Sequence, residues 1–145
     1  MDVIDPRLNT IKDCLYRVAI KAVIIQDGKL LITKEREGWY GLPGGGLEHG
    51  ETPNASIARE LEEEIGLHGQ DFMLEDQPLC MTYSGVSGGI PRVCILYLAT
   101  LKPQAHLHQK ELSFEWLDSS RLRAIELAPS TKTAKPLLLS LLAPQ

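Results

Sequence analysis

A chain of 145 residues that is 43% hydrophobic and 23% charged has the length of one domain, and a domain of that size buries roughly 68 to 70% of its unfolded surface. The net charge of −4 argues against a broad surface for nucleic acid or an anionic membrane. The longest strongly apolar runs, 93–101 and 137–143, fall short of the roughly 20 residues that span a bilayer.

Cys14, Cys80 and Cys94 are odd in number and lack a C-x-x-C spacing. Buried free thiols in a reducing cytoplasm are therefore expected, rather than disulfides or a zinc site. Met1-Asp2-Val3-Ile4-Asp5-Pro6 places acids where an export signal carries basic residues, which supports the same cytoplasmic expectation. Residues 1–15 carry weak signals and read as a loose arm on a single domain spanning 1–145.

From Arg17 to Ile25 the chain is rich in β-branched and aliphatic residues. Gln26-Asp27-Gly28-Lys29 carries the Asp-Gly turn signal, and Leu30 to Lys34 is apolar again. Those three pieces predict a β-hairpin. Glu35 to Tyr40 reads as a charged and aromatic loop, and Gly41 to Gly46 as a glycine-rich loop that lets backbone approach closely. Thr52 is placed to cap a helix, Pro53 suits its first position, and Gly66 supplies a left-handed stop, so a helix is expected over 53–65. Ala58, Leu61 and Ile65 form its apolar stripe. Glu60, Glu63 and Glu64 are expected to cluster on another face.

Beyond the helix, 68–71 reads as a turn and Phe72 to Tyr83 as a strand broken around Glu75-Asp76-Gln77-Pro78. Ser84 to Ile90, with three glycines, reads as a flexible loop. Pro91 to Leu101 suits a central strand buried on both faces. After a polar segment, Leu112 to Leu117 is a short strand, Asp118-Ser119-Ser120 caps a helical turn running through Leu127, and Pro136 opens a short apolar helix. Strands on both sides of a central helix give an α/β class with a mixed sheet between helical layers.

Three glutamates clustered on one helix repel one another by roughly 0.2 to 0.5 kcal/mol a pair, so a positive group belongs among them. Arg59 can pair with Glu63 or reach Glu51. A hard cation offsets more, since Mg²⁺ takes oxygen ligands and keeps its remaining positions for water and phosphate.

Residues 45–67, GGLEHGETPNASIARELEEEIGL, resemble the Nudix box: G, five residues, E, seven residues, R-E-U-x-E-E-x-G-U, with U aliphatic. Gly45, Glu51, Arg59, Glu60, Leu61, Glu63, Glu64, Gly66 and Leu67 match it without departure. A chance match at the seven fixed positions is roughly 10⁻⁸ per starting point at average residue usage. Trp39-Tyr40-Gly41-Leu42-Pro43-Gly44 also resembles the usual approach to the box.

The resemblance implies an α/β/α sandwich with a mixed β-sheet. It also implies Mg²⁺- or Mn²⁺-dependent hydrolysis of a nucleoside diphosphate linked to another group, with water attacking phosphorus. Glu60 and Glu64 are then the expected metal ligands, Glu63 is either a third ligand or the base, and Gly44 or Gly45 offers a carbonyl. Glu51 and Arg59 are supports that aim the carboxylates, and Glu111 is a candidate further ligand or base. Trp39, Tyr40 and Tyr83 are candidates for stacking on a nucleobase, and Arg92 for a phosphate. His106 and His108 lack companions and read as solvent-exposed. The proline that marks ADP-ribose hydrolases some fifteen residues past the box is absent from Met81-Thr82-Tyr83-Ser84, which counts against that subgroup. The expected partner is a small nucleotide-type diphosphate, with no nucleic acid and no membrane, and a homodimer is left open. A nucleotide sensor on the same fold, without catalysis, is the alternative.

Overall fold

The computed structural model describes residues 4–35 and 38–143. Its spine is β1 (Arg17–Gln26), whose one run of residues serves two sheets. Arg17 to Ile24 lie parallel to Arg92–Ala99 of β7 (Ile90–Leu101). On the other edge Ala19, Ile20 and Lys21 pair antiparallel with β4 (Gly44–Gly46). The last two residues, Ile25 and Gln26, pair with β2 (Lys29–Lys34) across the Asp27-Gly28 turn. Both turn residues have positive φ, 53° and 73°, the conformation that a two-residue hairpin requires. β2 then pairs with β3 (Tyr40–Gly41) and β8 (Ser113–Leu117). The free side of β7 carries β5 (Phe72–Leu74) and β6 (Cys80–Ser87) end to end.

Alternation along β1 divides the core in two. Ala19 and Val23 point into a layer with Leu30, Ile32, Cys94, Leu96 and Leu138, the last from α3 (Lys135–Leu142). Ile20, Ala22 and Ile24 point the other way, against Ile57, Leu61 and Ile65 of α1 (Pro53–Ile65). Ile20, Ile24, Leu61 and Leu96 are completely buried or within 1% of it, each worth about 2 kcal/mol of transfer energy. The mixed sheet between helical layers is therefore as the sequence predicts. Among the described residues no helix is long and apolar enough to cross a membrane.

Several elements differ from expectation. Of the stretch 41–46, only Leu42-Pro43 is loop; Gly41 ends β3 and Gly44–Gly46 form β4, because glycine lets β4 lie against β1: a Cβ on Gly44 would collide with the Ile20 carbonyl. The glycine-rich stretch 84–90 is mostly strand as well. Gly85 is taken up in a bulge between Tyr83 and Val86, and Gly88-Gly89 alone form the turn. The helix after Asp118 is α2 (Ser119–Ala124) and stops three residues early. Ile125 turns extended, and Leu127 forms a parallel bridge to Tyr40. On α1 the buried stripe runs through Ile57, Leu61, Glu64 and Ile65, with Ala58 at its margin.

The arm is partly tied down. Pro6–Thr10 form a 3₁₀ turn, and the Asp5 amide donates to the Gly89 carbonyl at 2.7 Å. All three cysteines are free, but only Cys94 is buried; Cys80 is half-buried and Cys14 exposed. Of the loop expected over 35–40, residues 36 and 37 lie outside the described residues, as do the first three of the chain.

Candidate active site

The glutamates of α1 are fixed by how that helix begins and ends. The Thr52 side-chain oxygen accepts the Ala55 amide at 3.2 Å, and Gly66 ends the helix at φ 69°. A Cβ on Gly66 would also strike the His108 ring. The chain returning toward β8 closes the last turn: the His108 amide donates to the Ile65 carbonyl at 3.0 Å, Lys110 to Glu64 at 3.2 Å and Glu111 to Glu63 at 3.4 Å. Backbone carbonyls that a helix end leaves unpaired thereby acquire donors. The same bonds bring Glu111 beside the glutamates.

Glu64 is the unusual member. Although ionisable, it is only 6% exposed, on the side of α1 that faces β4, and its Oε2 accepts the Gly44 amide at 3.5 Å. Burial pushes its carboxyl far above the ordinary range, and the neighbouring Glu60 carboxylate adds to the shift; Lys21 and the Gly44 amide oppose it. Lys21, also buried, donates from Nζ to the Gly44 carbonyl at 2.9 Å and stands 3.7 Å from Glu35 Oε1. One lysine thus holds the glycine strand and lies among carboxylates. Nothing in the spacing rules marks it, but a lone lysine inside the apolar run Val18–Ile25 was the available signal. Glu35, its partner, carried none.

Arg59 is the second organiser. Its Nε and Nη2 donate to Glu51 Oε2 and Oε1 at 2.8 and 2.9 Å, its Nη2 also reaches the Gly46 carbonyl at 3.1 Å, and its Nη1 donates to Glu60 Oε1 at 2.9 Å. The expected pairing with Glu63 is looser, at 3.8 Å. The Arg59 guanidinium holds the Glu51 carboxyl down to about 2. In turn Glu51 Oε1 accepts the Glu48 amide at 2.9 Å. Loop, strand β4 and helix are thereby joined through one fork-shaped cation. A Cβ on Gly45 would lie 2.5 Å from Glu60 Oε1, so only glycine leaves that carboxylate its place.

Glu64 and Glu111 open onto one cleft of about 620 Å³, walled also by Glu35, Trp39, Ser84, Arg92 and the segment 128–130. The buried Nε of Arg92 has no hydrogen-bond partner among the described residues, and its guanidinium can bind an anion. Arg17, opposite Arg92 in the parallel ladder, was missed by sequence reasoning; its Nη2 lies next to Gly46.

Two of the aromatic candidates do not line this cleft. Tyr40 packs against the core layer that contains Leu127 instead of lining the cleft, since alternation along the chain sends it away from the side that Trp39 occupies. Tyr83 is 57% exposed and lies outside the cleft. Its neighbour Thr82 turns inward to donate to the Ser130 carbonyl at 2.6 Å, so Tyr83 faces the opposite way.

Glu60, Glu63, Glu64 and a glycine carbonyl form an all-oxygen donor set, the chemistry a hard divalent cation takes. The fit is further supported by a buried Glu64 whose carboxyl lies beside that of Glu60. As placed, Glu60 Oε1 is held by Arg59, the Gly44 carbonyl accepts from Lys21, and Glu63 is half exposed. Among the described residues no three acidic, histidine or cysteine side chains already stand together as a metal cage. His106 and His108 are exposed, as expected.

The family model of the NUDIX domain matches residues 15–138. A MutT-like protein of Streptomyces ambofaciens is 37% identical over 78 residues, covering 52% of this chain and 47% of that protein. The ADP-ribose pyrophosphatase of Methanocaldococcus jannaschii is 41% identical over 54 residues, covering 34% and 32%. These matches thus span half or less of the relatives' length. Among solved structures, a MutT NUDIX hydrolase from Burkholderia pseudomallei superposes with a TM-score of 0.60 and 26% identity, over 87% of this chain and 97% of that one.

Proposed function

The chain belongs to the Nudix family, and on that premise we propose that it is a metal-dependent hydrolase of the phosphoanhydride bond in a nucleoside di- or triphosphate derivative, a nucleoside diphosphate linked to a further group. The observation that carries this reading is the meeting, in one cleft, of a buried Glu64 flanked by Glu60 and of Arg92, whose buried Nε has no hydrogen-bond partner among the described residues. A carboxylate cluster facing a basic group across a cleft suits a diphosphate bridged by a cation.

Glu60 and Glu64 would hold Mg²⁺ or Mn²⁺, with Glu63 or the carbonyl of Gly44 or Gly45 completing the oxygen set. A bound divalent ion lowers the pKa of water and neutralises charge that develops on phosphoryl oxygens. The chain's own groups do the rest. Glu63 or Glu111 accepts the proton of the attacking water; Glu111 is held beside the helix end by its amide bond to the Glu63 carbonyl. Arg92 binds a phosphate oxygen, and Trp39 offers a ring to the base. Glu51 and Arg59 keep loop and helix in register, so that Glu60 is aimed before substrate arrives. The free thiols fit a cytoplasmic setting.

The test is release of phosphate, through pyrophosphatase and phosphatase coupling, from a panel of nucleoside triphosphates, nucleotide sugars, ADP-ribose, dinucleotides and diadenosine polyphosphates, with Mg²⁺ and then with EDTA. EDTA-sensitive cleavage of any member is expected. Binding by calorimetry without cleavage of any member would favour the sensor reading.

A further inference from the structure

Among the described residues the outer edge of β6 carries no strand pairing, while Ser84, Val86 and Ser87 of the same strand line the cleft. β6 pairs with β7 on one side, no other strand joins it, and among the described residues no backbone hydrogen bond crosses its other side. Alternate residues of a strand turn their N–H and C=O groups to opposite edges, so about half of those on β6 face outward. Such an edge is a template for another strand, and proteins that remain monomeric blunt it with charge, proline or a bulge. β6 reads Cys-Met-Thr-Tyr-Ser-Gly-Val-Ser and has neither a charged residue nor a proline. Its one interruption is the bulge between Tyr83 and Val86, which leaves Cys80 to Tyr83 in regular register. On that regular stretch two large apolar side chains stand in solvent: Met81 is 65% exposed and Tyr83 57%. Being two residues apart they share a face. Thr82 between them turns inward to Ser130.

We propose that this edge pairs with the same edge of a second copy of the chain, antiparallel and centred on Thr82, to make a twofold dimer with a continuous sheet. Self-pairing is favoured over a foreign strand by the pattern of side chains. An antiparallel seam centred on residue 82 sets Met81 of each copy opposite Tyr83 of the other, so the two exposed groups cover one another. Thioether against aromatic ring is a favourable cross-strand pair. With no charge in the strand, twofold symmetry brings no like charges together, and the same patch serves both copies. A seam this short lies at the small end of specific interfaces, below the roughly 1,600 Å² of a standard one, so a micromolar association is expected. The inference does not depend on the hydrolase reading.

The test is sedimentation equilibrium of the full chain between roughly 1 and 200 µM, with circular dichroism melts confirming that variants at these exposed positions stay folded. The wild type should move from 16.1 kDa toward twice that mass as concentration rises. Met81→Lys combined with Tyr83→Lys sets like charges opposite each other twice and should weaken association at least tenfold. Met81→Lys combined with Tyr83→Glu sets opposite charges there and should restore it. A wild type that stays at 16.1 kDa throughout overturns the proposal. So does equal dimerisation of all three proteins, which would assign the contact to another surface, or a lysine–glutamate variant no tighter than the double-lysine one.

Discussion

Replacing Glu64 by Gln should make the protein more stable and nearly inactive. In the folded chain the Glu64 carboxyl is raised from 4.5 to about 8, chiefly by burial and then by the Glu60 carboxylate. A folded-state pKa above the unfolded one contributes stability that is fully present below about pH 4.5 and lost as pH rises through about 8. The gap corresponds to a cost of ~5 kcal/mol at alkaline pH, at about 1.4 kcal/mol per tenfold change. Because the side chain borders an open cleft, water relieves part of that, and a gain of ~2 kcal/mol for Glu64→Gln is the working expectation. Glutamine keeps the shape and can still accept the Gly44 amide, but it carries no charge to desolvate. For a chain of this length the gain corresponds to a Tm rise of about 6 °C. Melts by differential scanning fluorimetry in EDTA at pH 9 should show it, and at pH 4.5 the two proteins should melt together. Phosphate release by the variant in Mg²⁺ should fall by orders of magnitude. A variant that melts at or below the wild type at pH 9, with no narrowing of the gap toward acid, would refute the claim that a charged Glu64 is held against its solvation preference.

Arg59→Lys keeps the charge but cannot supply the fork that binds both oxygens of Glu51, Glu60 and the Gly46 carbonyl, so kcat should fall about tenfold. Because Arg59 holds the Glu51 carboxyl down to about 2, its stabilisation is present above pH 4.5 and lost as pH falls toward 2. The Tm difference between wild type and this variant should therefore shrink over that acid range, and a constant difference would count against the pairing. Arg92→Met should raise KM about tenfold with kcat within threefold, the signature of a binding contact shared by ground and transition states; an unchanged KM would remove Arg92 from the substrate site. Glu111→Ala should lower the rate at saturating metal by tenfold or more, and a rate within twofold of wild type would return Glu111 to the surface.

How far these residues were readable from sequence depends on what kind of information places them. The helix start at Thr52-Pro53 and its stop at Gly66 are local chemistry and were legible, as was the Asp27-Gly28 turn. Arg59 with Glu51 was legible because both lie within one short segment. β4 was not, since a run of glycines has no strand propensity and pairs only because β1 offers an edge that side chains would obstruct. The sides taken by Tyr40 and Tyr83 were equally hidden: a strand alternates every residue, so an error of one position sends a ring from the cleft to solvent or core. Trp39 and Tyr40 are adjacent, and only one of them faces the cleft.

Lys21 shows how the fold and the chemistry depend on each other. A charged residue in the middle of β1 is costly among Ile20, Ala22 and Val23, and it is tolerated because its ammonium reaches the Gly44 carbonyl and stands near Glu35. That bond fixes β4 against β1, which in turn brings the Gly44 amide to Glu64. Yet a single ammonium cannot balance Glu35, Glu60 and Glu64 together, and Arg59 is already engaged by Glu51 and Glu60. The floor of the cleft therefore holds a buried carboxyl, Glu64, whose ionisation is opposed by burial and by the neighbouring Glu60. Burial that opposes ionisation, in a site whose donors are all oxygen, suits a carboxyl that ionises as it takes up a hard divalent cation. It also makes the buried carboxylate more useful for binding a cation than for holding the fold together, which is why stability and activity are expected to move in opposite directions at Glu64.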